Sequence, residues 1–536
     1  MRGAEPLRID GKYLLVAVIL TLCVGCTGHP AAPKENDLLR MQAGNGKSSK
    51  KVIFILVDSL MHRSIDLGIK QKKLPTFQYL IDHGQYYNDL VSSFPTMSVT
   101  IDSTLLTGTH PDEHRIPGLI WLSSKEGKMI NYGTGPAEIM KQGVGPVLRD
   151  ALFHLNENHL SPGVETIFER LHRAGITSGS INGLIYRGKV PHALSFPRWI
   201  AGAASLPAEH RVKGPDFLAF GAFSNPFEGR TNLTDRLTKR FGFNNDYAVE
   251  AVTELIRSDK LPDFLFVYMP DMDRTIHRRG PSDLEGVQSV DRQLGALLQA
   301  FGSKEKALEK SVIVVAGDSG MSQLLPAAEQ PVVDLTAILD EYSVLAPGQP
   351  AGAGAEIALA VNETMAYVYK LSAGDSLRDI AGRLNEEARI DFTAWKEDGW
   401  IQVMQAGADG RSFRYHPGGG YKDRYGQKWT VEGDAAALDV RLNEREPSLA
   451  YGNYPDALRR LFGALHSHEG EYLVVAAKEG YELSGQSSPT HKGGGGHGAM
   501  NRTESLVPLL IGGTKEKPSS MRIVDLKDYV LKLLLP

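Results

Sequence analysis

The chain has 536 residues, of which 42% are hydrophobic and 23% are charged, and its formal net charge at pH 7 is -4. This length exceeds that of a typical single core, so one large domain with an insertion is expected. The near-neutral charge gives no electrostatic basis for binding nucleic acid. An anionic substrate would therefore be held locally, by metal ions rather than by a basic surface.

The first 26 residues have the pattern of an export signal. Arg2, Arg8 and Lys12 precede an apolar stretch at 13–22, which is too short to span a bilayer comfortably. The segment ends in Leu-Cys-Val-Gly-Cys, which resembles a bacterial lipobox and predicts lipidation of Cys26. An ordinary signal peptide that ends near a cysteine is the alternative. The lipobox predicts an extracytoplasmic protein attached to the cell membrane by a lipid anchor.

Both cysteines lie in this signal segment, so the mature body has neither disulfides nor thiolate chemistry. Residues 27–49 are rich in Gly, Pro, Lys and Ser and are predicted to form a flexible tether. The globular body divides into a first core part at 50–340, an inserted cap at 341–470 and a second core part at 471–536. In the cap, short strand-like pieces alternate with charged helical ones, which predicts an α+β insertion.

Apolar runs at 51–57, 264–270 and 312–317 are expected to form buried parallel strands. Helical patterns alternate with strand patterns and are predicted at 75–83, 99–106, 163–176, 244–256 and from a capping box at Ser282–Glu285 onward. Residues 190–243 are predicted to be long loops or a small insertion. The alternation predicts an α/β fold built on a doubly wound sheet.

Polar residues with metal-binding side chains follow these strands, and one more follows a glycine run at 493–496. They are Asp58, Asp273, His277, Asp318 and His497. Open α/β sheets bind their substrates at the carboxyl ends of the strands. Carboxylates mixed with imidazoles suit zinc or manganese better than calcium. The pattern therefore predicts a hydrolase with two divalent metal ions.

In this order and with these flanks, the residues resemble the alkaline phosphatase superfamily, and most of all its nucleotide pyrophosphatase/type I phosphodiesterase branch. The resemblance covers about 51–321 and 470–512. It implies a central sheet flanked by helices on both faces, two metal ions and a Thr or Ser nucleophile. The family's nucleophile lies nine residues before a Thr-Gly pair that is followed by Pro and His. Thr107-Gly108, with Pro111 and His114 after it, identifies Ser98 as that nucleophile.

The resemblance also implies the ligands of each ion. One ion would be held by Asp58, Asp318 and Ser98, and the second by Asp273, His277 and His497. Asp271 is a rival to Asp273, which the four-residue interval to His277 favours.

Two positions depart from the family pattern. Ser319 stands where the family has a histidine after the third aspartate, so one metal site loses an imidazole. Zinc is expected as the general cofactor, whereas manganese or magnesium is an alternative at the site beside Ser319. His491 could replace the missing ligand or be an ordinary loop histidine. Leu119 stands where the branch has an asparagine that holds a phosphoryl oxygen, and Asn182 is a candidate substitute.

The first expectation is a metal-dependent hydrolase of phosphodiester or pyrophosphate bonds that acts on a small-molecule phosphate ester through a covalent phospho-Ser98 intermediate. A phosphomonoesterase or phosphonate hydrolase on the same fold is the alternative. A degenerate, non-catalytic surface-binding lipoprotein is a further one. The oligomeric state stays open.

Overall fold

The computed structural model describes residues 50–227, 233–235, 237–407 and 410–535. The predicted signal segment, the tether and Cys26 lie outside these residues. Within the described part of the chain, no helix combines the length and the apolar character that a membrane crossing requires.

A seven-stranded sheet forms the centre of the molecule. In spatial order its strands are Gly84–Val91, Leu506–Gly512, Ser311–Gly317, Lys51–Val57, Phe264–Met269, Ser178–Ile181 and Phe217–Ala219. The last five strands run parallel to one another, and Leu506–Gly512 runs antiparallel to both of its neighbours. The sheet is therefore mixed, with the parallel strands predicted from the sequence at its centre.

Both faces of this sheet are covered by helices, because successive side chains of a strand point to opposite faces. Ile53, Ile55 and Val57 pack on one face, and Val52, Phe54 and Leu56 pack on the other. Helices on the first face are His62–Lys70, Pro75–Asp82, Asn245–Arg257, Glu285–Gln299 and Lys304–Lys310, and helices on the second are Ser98–Thr107, Ile167–Arg173 and Leu526–Leu534. The predicted α/β architecture is confirmed.

A second sheet is built mainly from residues after 356. In spatial order its strands are Ile357–Asn362, Met365–Lys370, Glu471–Ala477, Ile390–Glu397, Trp400–Gln405, Ser412–Lys422, Ser448–Tyr451 and Val440–Asn443, with Lys428–Gly433 paired to Ser412–Lys422. Glu471–Ala477 lies between Met365–Lys370 and Ile390–Glu397. This strand follows the predicted boundary at 470, yet its hydrogen bonds join it to the second sheet rather than to the core.

The remaining elements are short. Two-stranded pairs join Ile120–Ser123 to Lys128–Asn131, Val190–Ser195 to Glu209–Gly214, Ser322–Gln323 to Gly495–Gly496, and Val332–Asp334 to Glu482–Ser484. Further helices are Pro111–His114, Pro136–Gln142, Val144–Arg149, Arg198–Ala203, Asp271–Arg279, Leu335–Ile338, Leu377–Asn385, Ala457–Leu465 and Arg502–Ser505, with a π-helix at Asp150–His159 and 3-10 turns at Leu237–Gly242, Ala327–Glu329, Ala435–Leu438 and Ile523–Asp525.

Two local predictions were only partly right. The helix expected from a capping box at Ser282 begins at Glu285 with Leu284 as its N-cap, and no side chain caps it. Instead, Asp283 accepts a hydrogen bond from the Glu285 amide at 2.7 Å. The region 190–243 is not only loops, because Phe217–Ala219 is an edge strand of the central sheet. A strand of three residues is too short to produce a recognisable hydrophobic periodicity in the sequence.

Candidate active site

Three neighbouring parallel strands, Lys51–Val57, Phe264–Met269 and Ser311–Gly317, end at the same edge of the central sheet. Asp58 directly follows the central strand Lys51–Val57, and Asp318 directly follows Ser311–Gly317. The helix Asp271–Arg279 follows Phe264–Met269 and carries Asp273 and His277 on successive turns. Because carboxyl ends of parallel strands meet at one edge, residues more than 200 positions apart converge there.

One part of the site, the oxygen half, consists of Asp58, Ser98, Asp318 and Ser319. The Ser98 hydroxyl donates to Asp58 Oδ1 at 3.3 Å, and the Tyr268 hydroxyl donates to Asp58 Oδ2 at 2.5 Å. Asp318 Oδ1 accepts the Ser319 amide at 2.6 Å. Among the described residues, Asp318 Oδ2 is buried and has no hydrogen-bond partner.

Electrostatics disfavours ionisation of the oxygen half. Burial raises the pKa of Asp58 well above its ordinary value, and the charges of Asp318 and Asp273 raise it further. Burial likewise raises the pKa of Asp318. Two neighbouring buried carboxylates with one unpartnered oxygen are a set of donors that fits a divalent cation, because a cation would offset their repulsion and satisfy that oxygen.

Ser98 is the first residue of the helix Ser98–Thr107. At this position the helix dipole favours negative charge on the Ser98 oxygen. The segment that leads into this helix is held by a residue distant in the sequence, Arg460. The buried guanidinium of Arg460 donates to the carbonyls of Ser93 at 2.8 Å and Met500 at 3.3 Å. These bonds hold the segment before Ser98 against the segment after His497.

The other part, the nitrogen half, consists of Asp273, His277 and His497. Asp273 Oδ1 lies 3.1 Å from His277 Nε2 and 3.6 Å from His497 Nε2. One ligand atom from each of the three lies within 4.8 Å of the others, as a single ion would require. The structure thus places all six residues predicted as ligands at one sheet edge.

The second nitrogen of each imidazole is engaged by a backbone carbonyl. His277 Nδ1 lies 2.9 Å from the Gly495 oxygen, and His497 Nδ1 lies 2.6 Å from the Thr96 oxygen. A carbonyl acceptor fixes the proton on Nδ1 and leaves Nε2 directed at Asp273. This is the usual arrangement around metal-binding histidines.

The charges of the nitrogen half compensate one another. Burial alone would raise the pKa of Asp273, but His277 and His497 lower it well below its ordinary value. Burial would lower the pKa of His277, but Asp273 and Glu363 raise it to about 9. Burial opposes protonation of His497 too, yet Glu363 and Asp273 raise its pKa to about 10.

Sequence reasoning missed Glu363, which contacts the nitrogen half. Its Oε1 lies 3.6 Å from His277 Nε2, and its Oε2 accepts the His497 amide at 3.1 Å. Glu363 sits with a φ of 58° at the hairpin tip between Ile357–Asn362 and Met365–Lys370 in the second sheet. The surrounding sequence contains only an ordinary turn signal, so no local motif could have identified it.

Ser59 was missed as well, and it links the two halves. Its amide donates to Asp318 Oδ1 at 2.8 Å, and its hydroxyl donates to Asp273 Oδ1 at 2.8 Å. Its φ of 56° lies in the left-handed region, which is unfavourable for a residue with a Cβ. The Ser59 hydroxyl also lies 3.4 Å from the Ser319 hydroxyl. The position of the missing imidazole is therefore next to a bridging serine.

The substitute ligand considered for that position lies elsewhere. The His491 ring is centred 4.4 Å from the His277 ring, and His491 groups with His277 and Glu363 in the nitrogen half. Asp271, the rival to Asp273, accepts hydrogen bonds from Arg240 at 3.0 Å and from the Asn245 amide at 2.8 Å. Its carboxylate thus anchors neighbouring chain segments.

The two residues connected with the missing asparagine have structural contacts. Leu119 is half-buried against the core, and its amide donates to Asn362 Oδ1 at 2.7 Å. The Asn182 side-chain amide donates to the carbonyls of Gly242 and Asn244 at 3.0 and 3.3 Å. A role for Asn182 in binding a phosphoryl oxygen stays a prediction.

The family model of type I phosphodiesterase/nucleotide pyrophosphatase matches residues 52–500. The fold is similar to murine ectonucleotide pyrophosphatase/phosphodiesterase 5, with a TM-score of 0.54, 16% sequence identity and coverage of 90% of this chain and 95% of that chain. It is also similar to phosphonoacetate hydrolase from Sinorhizobium meliloti 1021, with a TM-score of 0.54, 15% identity and coverage of 92% and 99%. No curated protein matches the sequence.

Proposed function

Because the chain belongs to the type I phosphodiesterase/nucleotide pyrophosphatase family and is a phosphoric ester hydrolase, we propose that it cleaves phosphodiester or pyrophosphate bonds with Ser98 as the nucleophile. The observation that carries this proposal is the position of the Ser98 hydroxyl. It lies at a helix N-terminus, 3.3 Å from Asp58, at the edge of the sheet where the other predicted ligands converge.

The proposed reaction has two displacements. Ser98 Oγ attacks phosphorus, the bond from phosphorus to the leaving oxygen breaks, and the Ser98 hydroxyl proton passes by way of Asp58, its hydrogen-bond acceptor, to the leaving oxygen. Water then attacks the phospho-Ser98 intermediate, the Oγ–P bond breaks, one proton of the water returns to Ser98 Oγ, and the phosphoryl group leaves with the remaining hydroxyl. The N-terminus of the helix Ser98–Thr107 stabilises negative charge on Oγ at the start and at the end of this cycle.

The donors fit two divalent ions, one in each half of the site. Asp58, Ser98 and Asp318 would hold the first, and Asp273, His277 and His497 would hold the second. Bound divalent ions in such a pair lower the pKa of a coordinated hydroxyl and neutralise charge on the attacking and leaving oxygens. The nitrogen half suits zinc, whereas the oxygen half suits zinc or a harder ion such as manganese or magnesium.

The test compares hydrolysis of bis(p-nitrophenyl) phosphate with that of p-nitrophenyl phosphate, after loading with zinc or manganese. We expect a higher kcat/KM for the diester, and loss of both activities in Ser98→Ala. Equal turnover by Ser98→Ala and the parent protein would refute the serine mechanism. Activity in neither protein, with metal bound in both, would favour the non-catalytic alternative.

A phosphonate or phosphomonoester hydrolase is the second candidate, and Leu119 is the observation that favours it. No side-chain amide is available at this position, and the Leu119 backbone amide is already bonded to Asn362. One of the structures with a similar fold is a phosphonoacetate hydrolase. Higher kcat/KM for phosphonoacetate or the monoester than for the diester would support this candidate. Diester preference enhanced by Leu119→Asn would support the first.

We further propose that the protein acts outside the cytoplasm as a lipoprotein anchored through Cys26, on the strength of the lipobox-like sequence alone. Membrane fractionation of the full chain tests this. Cys26 should carry a lipid mass, and Cys26→Ala should move the protein from the membrane fraction to the soluble one. An unmodified Cys26 in the exported protein would contradict the proposal.

A further inference from the structure

A second group of metal-binding side chains lies on the π-helix Asp150–His159, and none of its members belongs to the active site. Asp150, His154 and His159 each offer one ligand atom, and these atoms lie within 4.8 Å of one another. His154 Nδ1 lies 2.9 Å from Asp150 Oδ1. Asp150 and His159 are buried, whereas the His154 side chain is 33% exposed. One face of the cluster is therefore open to an entering ion.

The π-helical winding creates this cluster. In an α-helix with 3.6 residues per turn, the nine residue-to-residue steps from Asp150 to His159 would span about two and a half turns, and the two side chains would point to opposite sides. A π-helix has i to i+5 hydrogen bonds and more residues per turn. Winding over Asp150–His159 therefore brings both ends of the segment to one side. Such stretches are rare and occur frequently at functional sites.

A neighbouring hairpin offers a carboxylate as a candidate fourth ligand, next to His159. Glu126 lies in the turn between Ile120–Ser123 and Lys128–Asn131, and its Oε1 lies 2.9 Å from His159 Nε2. The Tyr132 hydroxyl lies 2.8 Å from His159 Nδ1 and fixes the orientation of the ring from behind. A ligand imidazole supported through its second nitrogen is typical of metal sites.

The set of two imidazoles and two carboxylates matches tetrahedral zinc chemistry. At metal–ligand distances of about 2.1 Å, neighbouring ligand atoms of a tetrahedral ion lie about 3.4 Å apart. The 2.9 Å separations from His154 to Asp150 and from His159 to Glu126 would each have to open by about 0.5 Å. The partly exposed side chains of His154 and Glu126 would have to move to make this change.

We propose that Asp150, His154, His159 and Glu126 form a structural binding site for a divalent transition metal ion, separate from the catalytic pair. The ion would fasten the hairpin Ile120–Asn131 to the π-helix. This hairpin begins directly after Leu119, the position that departs from the family pattern. The site would thus stabilise one side of the substrate region without taking part in the reaction.

Lys128 provides the competing explanation, in which the cluster is an ordinary salt-bridge network. Its Nζ lies 3.1 Å from Glu126 and 3.4 Å from Asp150. The Lys128 side chain is 37% exposed and can turn toward solvent when another cation binds. The two explanations predict opposite consequences of removing this lysine. A metal site gains affinity when a competing cation is lost, whereas a salt-bridge network only loses stability.

The experiment measures zinc bound per chain at buffered free zinc concentrations, with the full chain first stripped by a chelator. The parent protein should bind one more equivalent of zinc than His154→Ala or Glu126→Gln. Lys128→Ala should bind this equivalent about tenfold more tightly. His83→Ala, which removes an exposed histidine next to the helix Pro75–Asp82, is the matched control and should retain the parent stoichiometry.

Thermal denaturation with and without zinc gives a second readout that does not depend on activity. The zinc-induced rise in Tm should be smaller in His154→Ala than in His83→Ala. Equal zinc stoichiometry in the parent, His154→Ala and Glu126→Gln would overturn the proposal. So would a lower Tm in Lys128→Ala without any gain in zinc affinity. Neither result would bear on the serine mechanism.

Discussion

The two halves of the active site share one sheet edge and have opposite electrostatic character. The oxygen half contains Asp58 and Asp318, whose pKa values are raised by burial and, at Asp58, by neighbouring carboxylates. In the nitrogen half, His277 and His497 lower the pKa of Asp273, and their own pKa values rise to about 9 and 10. One half therefore lacks positive charge, whereas the other supplies it from imidazoles.

This difference follows from the residue after Asp318. A histidine at Ser319 would bring a nitrogen ligand to the oxygen half, but the serine contributes only a hydroxyl near Ser59. A bound cation, as proposed for the oxygen half, would favour ionisation of its two carboxylates. In the nitrogen half, the ion pairs of Asp273 with His277 and His497 balance the charges without a bound cation. The comparison teaches that one side chain can leave one half of the site short of positive charge while the other half compensates its own charges.

The largest expected effect is at Ser98, the proposed nucleophile in the oxygen half. Ser98→Ala should lower kcat by at least about 10³-fold, because no other hydroxyl occupies this position at the helix N-terminus. Ser103→Ala, in the same helix, removes a hydroxyl that bonds only to the Val99 carbonyl among the described contacts and should retain activity. Steady-state hydrolysis of the chromogenic diester measures both variants. A comparable loss in Ser103→Ala would attribute the effect to helix disruption.

The second prediction concerns the zinc affinity of the nitrogen half and its neighbour Glu363 at the hairpin tip. Glu363→Gln should reduce zinc affinity of this half by about 10–100-fold, because the charge that supports His277 and His497 is removed. Zinc titration against a competing chelator measures the change. Glu386→Gln, at an exposed position after the helix Leu377–Asn385, is the control. Unchanged affinity in Glu363→Gln would show that the hairpin tip makes no contribution to metal binding.

Restoring the imidazole would make the halves more alike. Ser319→His should increase zinc affinity of the oxygen half by about tenfold, because a nitrogen ligand joins Asp58 and Asp318. Ser319→Ala should leave that affinity nearly unchanged. Competition binding of zinc against manganese distinguishes the variants. Because position 319 is fully buried, Tm is measured as well, to check the packing around the new side chain. Equal preference in all three proteins would mean that residue 319 does not control metal choice.

The smallest effect concerns stability of the chelator-treated protein. The pKa of Asp58 is raised in the folded state, so its contribution to stability is present below its ordinary pKa of 3.8 and is lost as pH rises through the folded value. Asp58→Asn should therefore be more stable than the parent at pH 7, because the variant removes a carboxylate whose ionisation is opposed by burial and by neighbouring carboxylates. The difference should vanish below about pH 4.

Urea denaturation between pH 4 and pH 8 measures this dependence. Asp398→Asn, in an exposed turn, should show no comparable gain at neutral pH. A metal-free Asp58→Asn protein that is less stable than the parent at pH 7 would indicate that the hydrogen bonds from Ser98 and Tyr268 outweigh the repulsion between carboxylates.

Much of the fold and part of the site were predictable because their signals are local. Within the strand Lys51–Val57, residues 52–57 are continuously apolar since both faces of the strand are buried, and Asp58 follows directly where the strand ends. The same logic identified Asp318 after Ser311–Gly317. Ser98 was found through its distance from Thr107-Gly108, where the helix ends at a glycine with a φ of 66°.

The sequence by itself thus determined the strands, the helices that flank them and the order of six candidate ligands. Tertiary structure alone decided which charges meet, because His497 approaches Thr96 across 401 residues. Packing of the second sheet against the core places Glu363 beside His277. Tertiary packing also lets Ser59 bond to both halves and puts His491 beside His277 in the nitrogen half. Local patterns report burial along one element, whereas electrostatic contacts depend on the packing of elements that are distant in the chain.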